Sequence, residues 1–135
     1  MRRQLLIITT ALSLVGSYPV FAADMSSDIV GTYLCKGNDP TLSPSTYTGK
    51  YTISIQGQQY IMGEKVHDGA KSIVFNQFAL RHGNVLTIAF QRSDASKVFG
   101  TEYMHITAHG DRLTGTFSYW GEPNKLGTET CQRAK

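Results

Sequence analysis

The chain predicts an all-β domain, an eight-stranded antiparallel up-and-down barrel closed by a disulfide. Three observations carry that prediction. Apolar and polar residues alternate with period two over most of residues 29–133, the mark of strands with one dry face. Glycine-rich or polar turns break the alternation at short intervals. Cys35 and Cys131 fall in the first and last strand candidates. They can bond only if their Cα atoms come within about 7 Å, and a closed meander makes those two strands neighbours. A two-sheet β-sandwich also juxtaposes them and is the alternative architecture.

Residues 1–22 precede the domain and read as a secretory signal peptide. Met1-Arg2-Arg3-Gln4 is a basic n-region, and 5–16 (LLIITTALSLVG) is an apolar stretch too short to span a bilayer. Pro19 and the small residues Ala22 and Ala23 supply a cleavage site after Ala22 or one residue later. Residues 23–135 then form a single domain that works in the periplasm or is secreted. In that compartment Cys35 and Cys131 are expected to be oxidised to one another.

The strands are taken in order. Strand one, 29–36, carries Cys35. The second, 47–55 (YTISI and the residues before it), is the clearest: Tyr47, Gly49, Tyr51, Ile53 and Ile55 share one face. Gln56-Gly57 turns the chain into 58–65, and Glu64 to Ala70 is expected to be a loop. Strand four spans 71–81. Strand five, 85–92, sets Leu86, Ile88 and Phe90 on one side. Strand six spans 97–108. Strand seven, 112–120, sets Leu113, Gly115, Phe117 and Tyr119 against Thr114, Thr116, Ser118 and Trp120. The eighth, 126–133, carries Cys131. No segment sustains a helical stripe. A Gly-Thr theme recurs at Gly31, Gly100, Gly115 and Gly127, with irregular spacing; it is architecture, since glycine permits the coiling a small barrel needs.

Charge and composition exclude several functions. Without Arg2 and Arg3 the 13 basic residues fall to 11 against 10 acidic ones, a net charge near +1. No run of basic residues follows a phosphate backbone, so nucleic acid is not an expected partner. No second apolar segment approaches the roughly 20 residues of a membrane helix, so the exported domain is not expected to span a membrane. No motif calls for a cofactor.

Gly31-Thr32-Tyr33, Tyr47-Thr48-Gly49-Lys50-Tyr51 and Leu113-Thr114-Gly115-Thr116-Phe117 give the chain its family resemblance. It resembles the calycins, the small exported eight-stranded barrels that include lipocalins and avidins. The resemblance implies a barrel that binds a ligand in its mouth. With Trp120 as the single tryptophan, the tryptophan-lined biotin site of avidins is not carried over. The segment Tyr33-Leu34-Cys35-Lys36-Gly37 is similar to the opening of the small periplasmic lysozyme inhibitors, which implies a loop-mediated inhibitor instead.

Candidate site residues follow from side-chain chemistry. The four histidines, His67, His82, His105 and His109, are not spaced as zinc ligands on one element, so no metal site is assigned. No Gly-x-Ser-x-Gly elbow occurs and the cysteines are expected to be bridged, so no catalytic residue is assigned. The strongest enzyme reading, a small paired-carboxylate hydrolase, would use Glu102 and Glu129. A strand glutamate ordinarily faces solvent; one facing the lumen marks a ligand site. The tyrosines are the richer set, because each buries a ring and still offers a hydroxyl. The expected ligand contacts are Tyr33, Tyr51, Tyr103, Tyr119 and Glu129.

Three function classes are in play. The first is a binding module holding a small, partly polar molecule in the barrel mouth. The second is a protein-binding or enzyme-inhibitor protein acting through loops 37–46 and 121–125. The hydrolase is the third. The partner is an unknown small molecule or exported protein, and the oligomeric state is open.

Overall fold

A computed structural model describes residues 26–69 and 71–135; the signal segment 1–22 lies outside them. Eight strands follow one another around a closed barrel: β1 (Gly31–Asn38), β2 (Thr46–Gln56), β3 (Gln59–Asp68), β4 (Lys71–His82), β5 (Val85–Arg92), β6 (Phe99–Thr107), β7 (Arg112–Tyr119) and β8 (Gly127–Arg133). Each strand pairs antiparallel with the next, and β1 pairs with β8 to close the ring. The barrel, not the sandwich, is therefore the architecture, and no edge is left unpaired. Among the described residues no helix is long and apolar enough to cross a membrane.

Burial alternates along the strands as period two requires; β2 buries Tyr47, Gly49, Tyr51 and Ile53 and exposes the residues between. The seam is covalent. Cys35 and Cys131 are register partners, bonded with Cα atoms 4.0 Å apart. Their sequence separation of 96 means the bridge closes nearly the whole domain, worth about 4–5 kcal/mol by chain entropy.

Two elements depart from expectation. The first strand begins at Gly31 rather than 29, because Ser27–Ile29 forms a short 3-10 turn that buries Ile29 as a plug. The stretch Glu64 to Ala70, expected as a loop, is strand through Asp68, with Gly69 turning the chain at φ 58. Met62, Glu64 and Val66 all face inward. A carboxyl on the dry face interrupts the apolar period and so hides the strand. His67, expected in that loop, lies on β3 with Nδ1 3.1 Å from Ser72 Oγ.

The interior is layered along the barrel axis. One end is closed by an apolar core in which Ile29, Leu86, Ile88, Met104 and Leu113 are fully buried. Each such aliphatic side chain contributes roughly 1.5–3 kcal/mol. Polar groups staple this end shut. The Tyr33 hydroxyl lies 2.6 Å from Gly110 O and 3.0 Å from Ile29 O. Arg133 stacks over the Tyr33 ring, its Cζ 4.9 Å from the centroid, and donates to Val30 O at 2.7 Å and to Asp28 O. Asp28 is in turn held bidentately by Arg81 at 2.5 and 3.2 Å. The other end is built differently.

Candidate ligand cavity

At the open end the wall is aromatic, and its shape comes from glycine. Tyr47, Phe90 and Phe117 are cross-strand partners of Gly37, Gly100 and Gly127. Each ring lies over its glycine so closely that a Cβ there would overlap it. The rings therefore lie against the wall instead of filling the lumen, the packing by which an aromatic side chain covers a strand glycine. Phe90 packs edge-to-face on Phe75 (5.6 Å), Tyr119 (5.5 Å) and Phe117 (6.3 Å). The space they leave is a cavity of about 390 Å³ that opens between the β1–β2, β5–β6 and β7–β8 loops. Phe99 and Trp120 stack at its rim, centroids 5.9 Å apart.

Its floor is a polar belt between the two apolar layers. Glu64 on β3, Glu102 on β6 and Glu129 on β8 all point inward, 7, 2 and 3 % exposed, together with Gln77 on β4. Tyr51 donates to Glu102 Oε2 at 2.8 Å, and Tyr47 donates to Glu129 Oε1 at 2.8 Å. The Gln77 amide donates to Glu64 Oε2 at 3.0 Å. Glu129 Oε2 also lies 3.5 Å from Cys131 Sγ, a contact only, since the bridged sulfur has no proton. Three buried oxygens accept from no amide, hydroxyl or guanidinium: Glu64 Oε1, Gln77 Oε1 and Glu102 Oε1. Leaving such groups unpaired in a dry interior is costly.

Burial sets the electrostatics. It pushes the Glu64 and Glu102 carboxyls well above the usual glutamate range, and the negative neighbours push them further. Glu129 is raised by burial too, against the opposing pull of the Tyr47 hydrogen bond. Glu64 faces Glu129, and like charges in a dry setting keep a proton between them. The Tyr47, Tyr51 and Tyr119 hydroxyls are likewise pushed up by burial first, so they remain donors at neutral pH.

The rim is pinned by one buried acid. Asp39 accepts from the Thr41 amide (2.9 Å) and hydroxyl (2.7 Å) and from Tyr119 across the mouth (2.8 Å). It thereby ties the β1–β2 loop to β7. At the same rim Arg92 holds Asp94 at 2.5 Å.

The structure separates the expected contact residues. Tyr51 and Tyr119 are on the cavity wall. Tyr33 is interior but at the closed end, where burial pushes its hydroxyl up to about 12. Glu129 is on the belt behind the wall. The expectation for Tyr103 is corrected: it is 55 % exposed on the outer face, because its neighbour Glu102 takes the inward position and adjacent strand residues face opposite ways. Glu64, Gln77, Asp39 and Tyr47 were not among the expected residues. Glu64, Gln77 and Tyr47 share the inward parity of Met62, Phe75 and Tyr51 on their own strands, which was their signal; Asp39 lies past the end of β1, where parity gives none. Among the described residues only Cys35, Glu129 and Cys131 gather three potential metal-ligand atoms, and both sulfurs there are in the disulfide.

No protein-family model matches the chain, and no curated protein matches it. Among solved structures it is similar to EF1p2_mFAP2b bound to DFHBI, with a TM-score of 0.62 at 14 % identity, over 80 % of this chain and 95 % of that one. The likeness is one of fold.

Proposed function

We propose that the chain is an exported, calycin-like binding module that takes a small, partly polar aromatic ligand into the open end of the barrel. One observation carries this reading: a cavity of about 390 Å³ with aromatic walls and the buried carboxyls of Glu64 and Glu102 in its lining. Pockets for small ligands run from about 300 to 1,000 Å³ and combine apolar walls with a few fixed polar groups. A barrel filled by its own side chains leaves no such space. That a barrel of the same fold is bound to DFHBI in its own structure supports the reading by analogy of fold. Tyr51 and Tyr119 are the proposed contacts from the expected set, joined by Phe90, Phe117, Glu64 and Glu102.

Native mass spectrometry of the oxidised protein, purified gently from its source, tests the proposal. A discrete mass lost on denaturation is the expected result. A bare protein that also fails to take up small apolar probes would overturn it.

The runner-up, a loop-mediated inhibitor of an exported enzyme, keeps one observation in its favour. The loops 37–46 and 121–125 both frame the mouth, and Asp39 holds the first of them rigid. Trimming that loop would also remove the wall residues Thr41 and Leu42, so it does not separate the two readings. Val66→Trp does, because it fills the cavity from the inward face of β3 and leaves the loops in place. The hydrolase reading draws less support, since Glu102 stands on the cavity wall while Glu129 lies behind it.

A further inference from the structure

We propose that the cavity floor recognises a protonated nitrogen base, an amine or amidinium carried on a flat apolar body, with Glu102 and Glu64 receiving its N–H groups. The inference rests on the cavity reading above and specifies the chemistry of its ligand.

The first ground is the imbalance of donors and acceptors. The belt's fixed donors are the Tyr47 and Tyr51 hydroxyls and the Gln77 amide, and each already has an acceptor; its other donors are the protons that the buried carboxyls themselves retain, which a cationic ligand can replace. The three atoms left over are all oxygens. A carbonyl or carboxylate ligand would add acceptors to acceptors; an ammonium or amidinium brings two or more donors and nothing else.

Charge points the same way. Three carboxyls meet at the belt, and the cations on the cavity wall, Arg92 and Lys97, stand on and beside the β5–β6 loop at the rim. An anion would add its charge to a floor whose carboxyls must then stay protonated, while a cation meets acceptors that strengthen when ionised. A small divalent ion fits poorly. Among the described residues Glu64 and Glu102 do not gather with a third ligand into a metal-sized cluster. Carboxyls spread over three strands suit an extended organic cation. Above them, Phe90 and the rings packed edge-to-face on it offer a slot for a flat body, and ring faces attract cations.

The belt also links binding to protons. The titratable groups facing the floor are Glu64 from β3, Glu102 from β6, Glu129 from β8 and the two tyrosines of β2; β4 and β5 contribute uncharged Gln77, Phe75 and Phe90 at this level, while Asp39, Tyr119, Lys97 and Arg92 at the end of β5 stand above near the rim. In the empty barrel burial keeps protons on the carboxyls. An entering cation takes over a proton's place and displaces it, so affinity for a cation rises with pH through the range where these carboxyls titrate.

Two matched sets test this on the oxidised protein by calorimetry: phenethylamine, 2-phenylethanol and phenylacetate; and benzamidine, benzamide and benzoate. Displacement of the neutral fluorescent probe N-phenyl-1-naphthylamine reports occupancy of the cavity in parallel. At about pH 7.5 the two cations should bind roughly 10- to 100-fold more tightly than the alcohol and the amide, with the acids weakest. Glu102→Gln should draw the amine-to-alcohol ratio toward one. Should that variant fail to fold, Glu64→Gln and a titration of the wild type read the same quantity: amine affinity falls several-fold from about pH 7.5 to about pH 5, and alcohol affinity does not. If the alcohol and amide bind as tightly as the cations while the probe is still displaced, the nitrogen-base inference is overturned and the cavity reading stands. If neither the probe nor any member of the sets binds, both are overturned.

Discussion

Glu102 should make the empty barrel less stable as the pH rises, and Glu102→Gln should remove that weakness. Its Oε2 accepts from Tyr51 at 2.8 Å, and its Oε1 has no donor. Burial raises its folded pKa well above the ordinary value. The unfolded chain releases this proton near pH 4.3, whereas the folded chain retains it. Stability from this group is thus fully present below the unfolded pKa and is lost as pH rises toward the folded pKa. The loss is about 1.4 kcal/mol per pH unit for each carboxyl in that condition. Between pH 5 and pH 7 Glu102 alone therefore removes up to about 3 kcal/mol. Glutamine keeps the volume, offers Tyr51 an acceptor and cannot ionise. Urea unfolding of the oxidised, ligand-free proteins from about pH 4 to pH 8, followed by circular dichroism, measures the difference. The variant should match the wild type near pH 4 and exceed it by about 1–3 kcal/mol at pH 7. Asp28, whose pKa Arg81 lowers, works in the opposite sense at acid pH, but equally in both proteins. A wild type that gains stability from pH 5 to pH 7 relative to the variant would refute the reasoning.

Other perturbations have equally definite outcomes. Gly127→Ala places a Cβ against the Phe117 ring and nothing nearer, so the ring must shift toward the lumen; uptake of N-phenyl-1-naphthylamine should drop while the fold persists by circular dichroism. Tyr119→Phe removes one donor from buried Asp39 and should cost about 1–2 kcal/mol, with faster amide exchange confined to the loop 39–45. Replacing Cys35 and Cys131 together by alanine should cost about 2–5 kcal/mol in urea unfolding, and an unchanged midpoint would show that the seam holds without its bond. Trp120, 78 % exposed at the rim, should change its emission when a ligand enters the mouth and not when one binds the outer wall.

The barrel was legible because its alternation is clean where it matters. In β2, β5 and β7 every inward position is apolar, aromatic or glycine except Arg92 at the end of β5, and the two cysteines mark the strands that must meet. The site was less legible for the opposite reason: its polar groups sit where apolar residues are expected. Glu64 broke the pattern of β3 and so disguised five strand residues, Glu64 to Asp68, as loop. Glu102 and Tyr103 could not both face inward, and the general tendency to bury tyrosine over glutamate pointed to the wrong one. Gly100, Met104 and Ile106 share the parity of Glu102 and would have decided it. Tyr33 had the right face and the wrong end, since nothing in a single strand says which end of a barrel will be plugged. Whether the lumen was full or hollow depended on which ring meets which glycine across a strand pair, and that requires the register.

The rings laid over Gly37, Gly100 and Gly127 give the hollow an origin independent of what lines it. Eight strands enclose just enough room for their own side chains. Capacity here is a property of three positions without side chains, none of which needs to touch the guest. A methyl group added at Gly37 or Gly127 would meet only the side chain laid over it and press that ring toward the lumen, without altering the identity of a wall residue. Room inside such a barrel is therefore set at positions other than those that line it, so its volume and its lining chemistry can be changed independently.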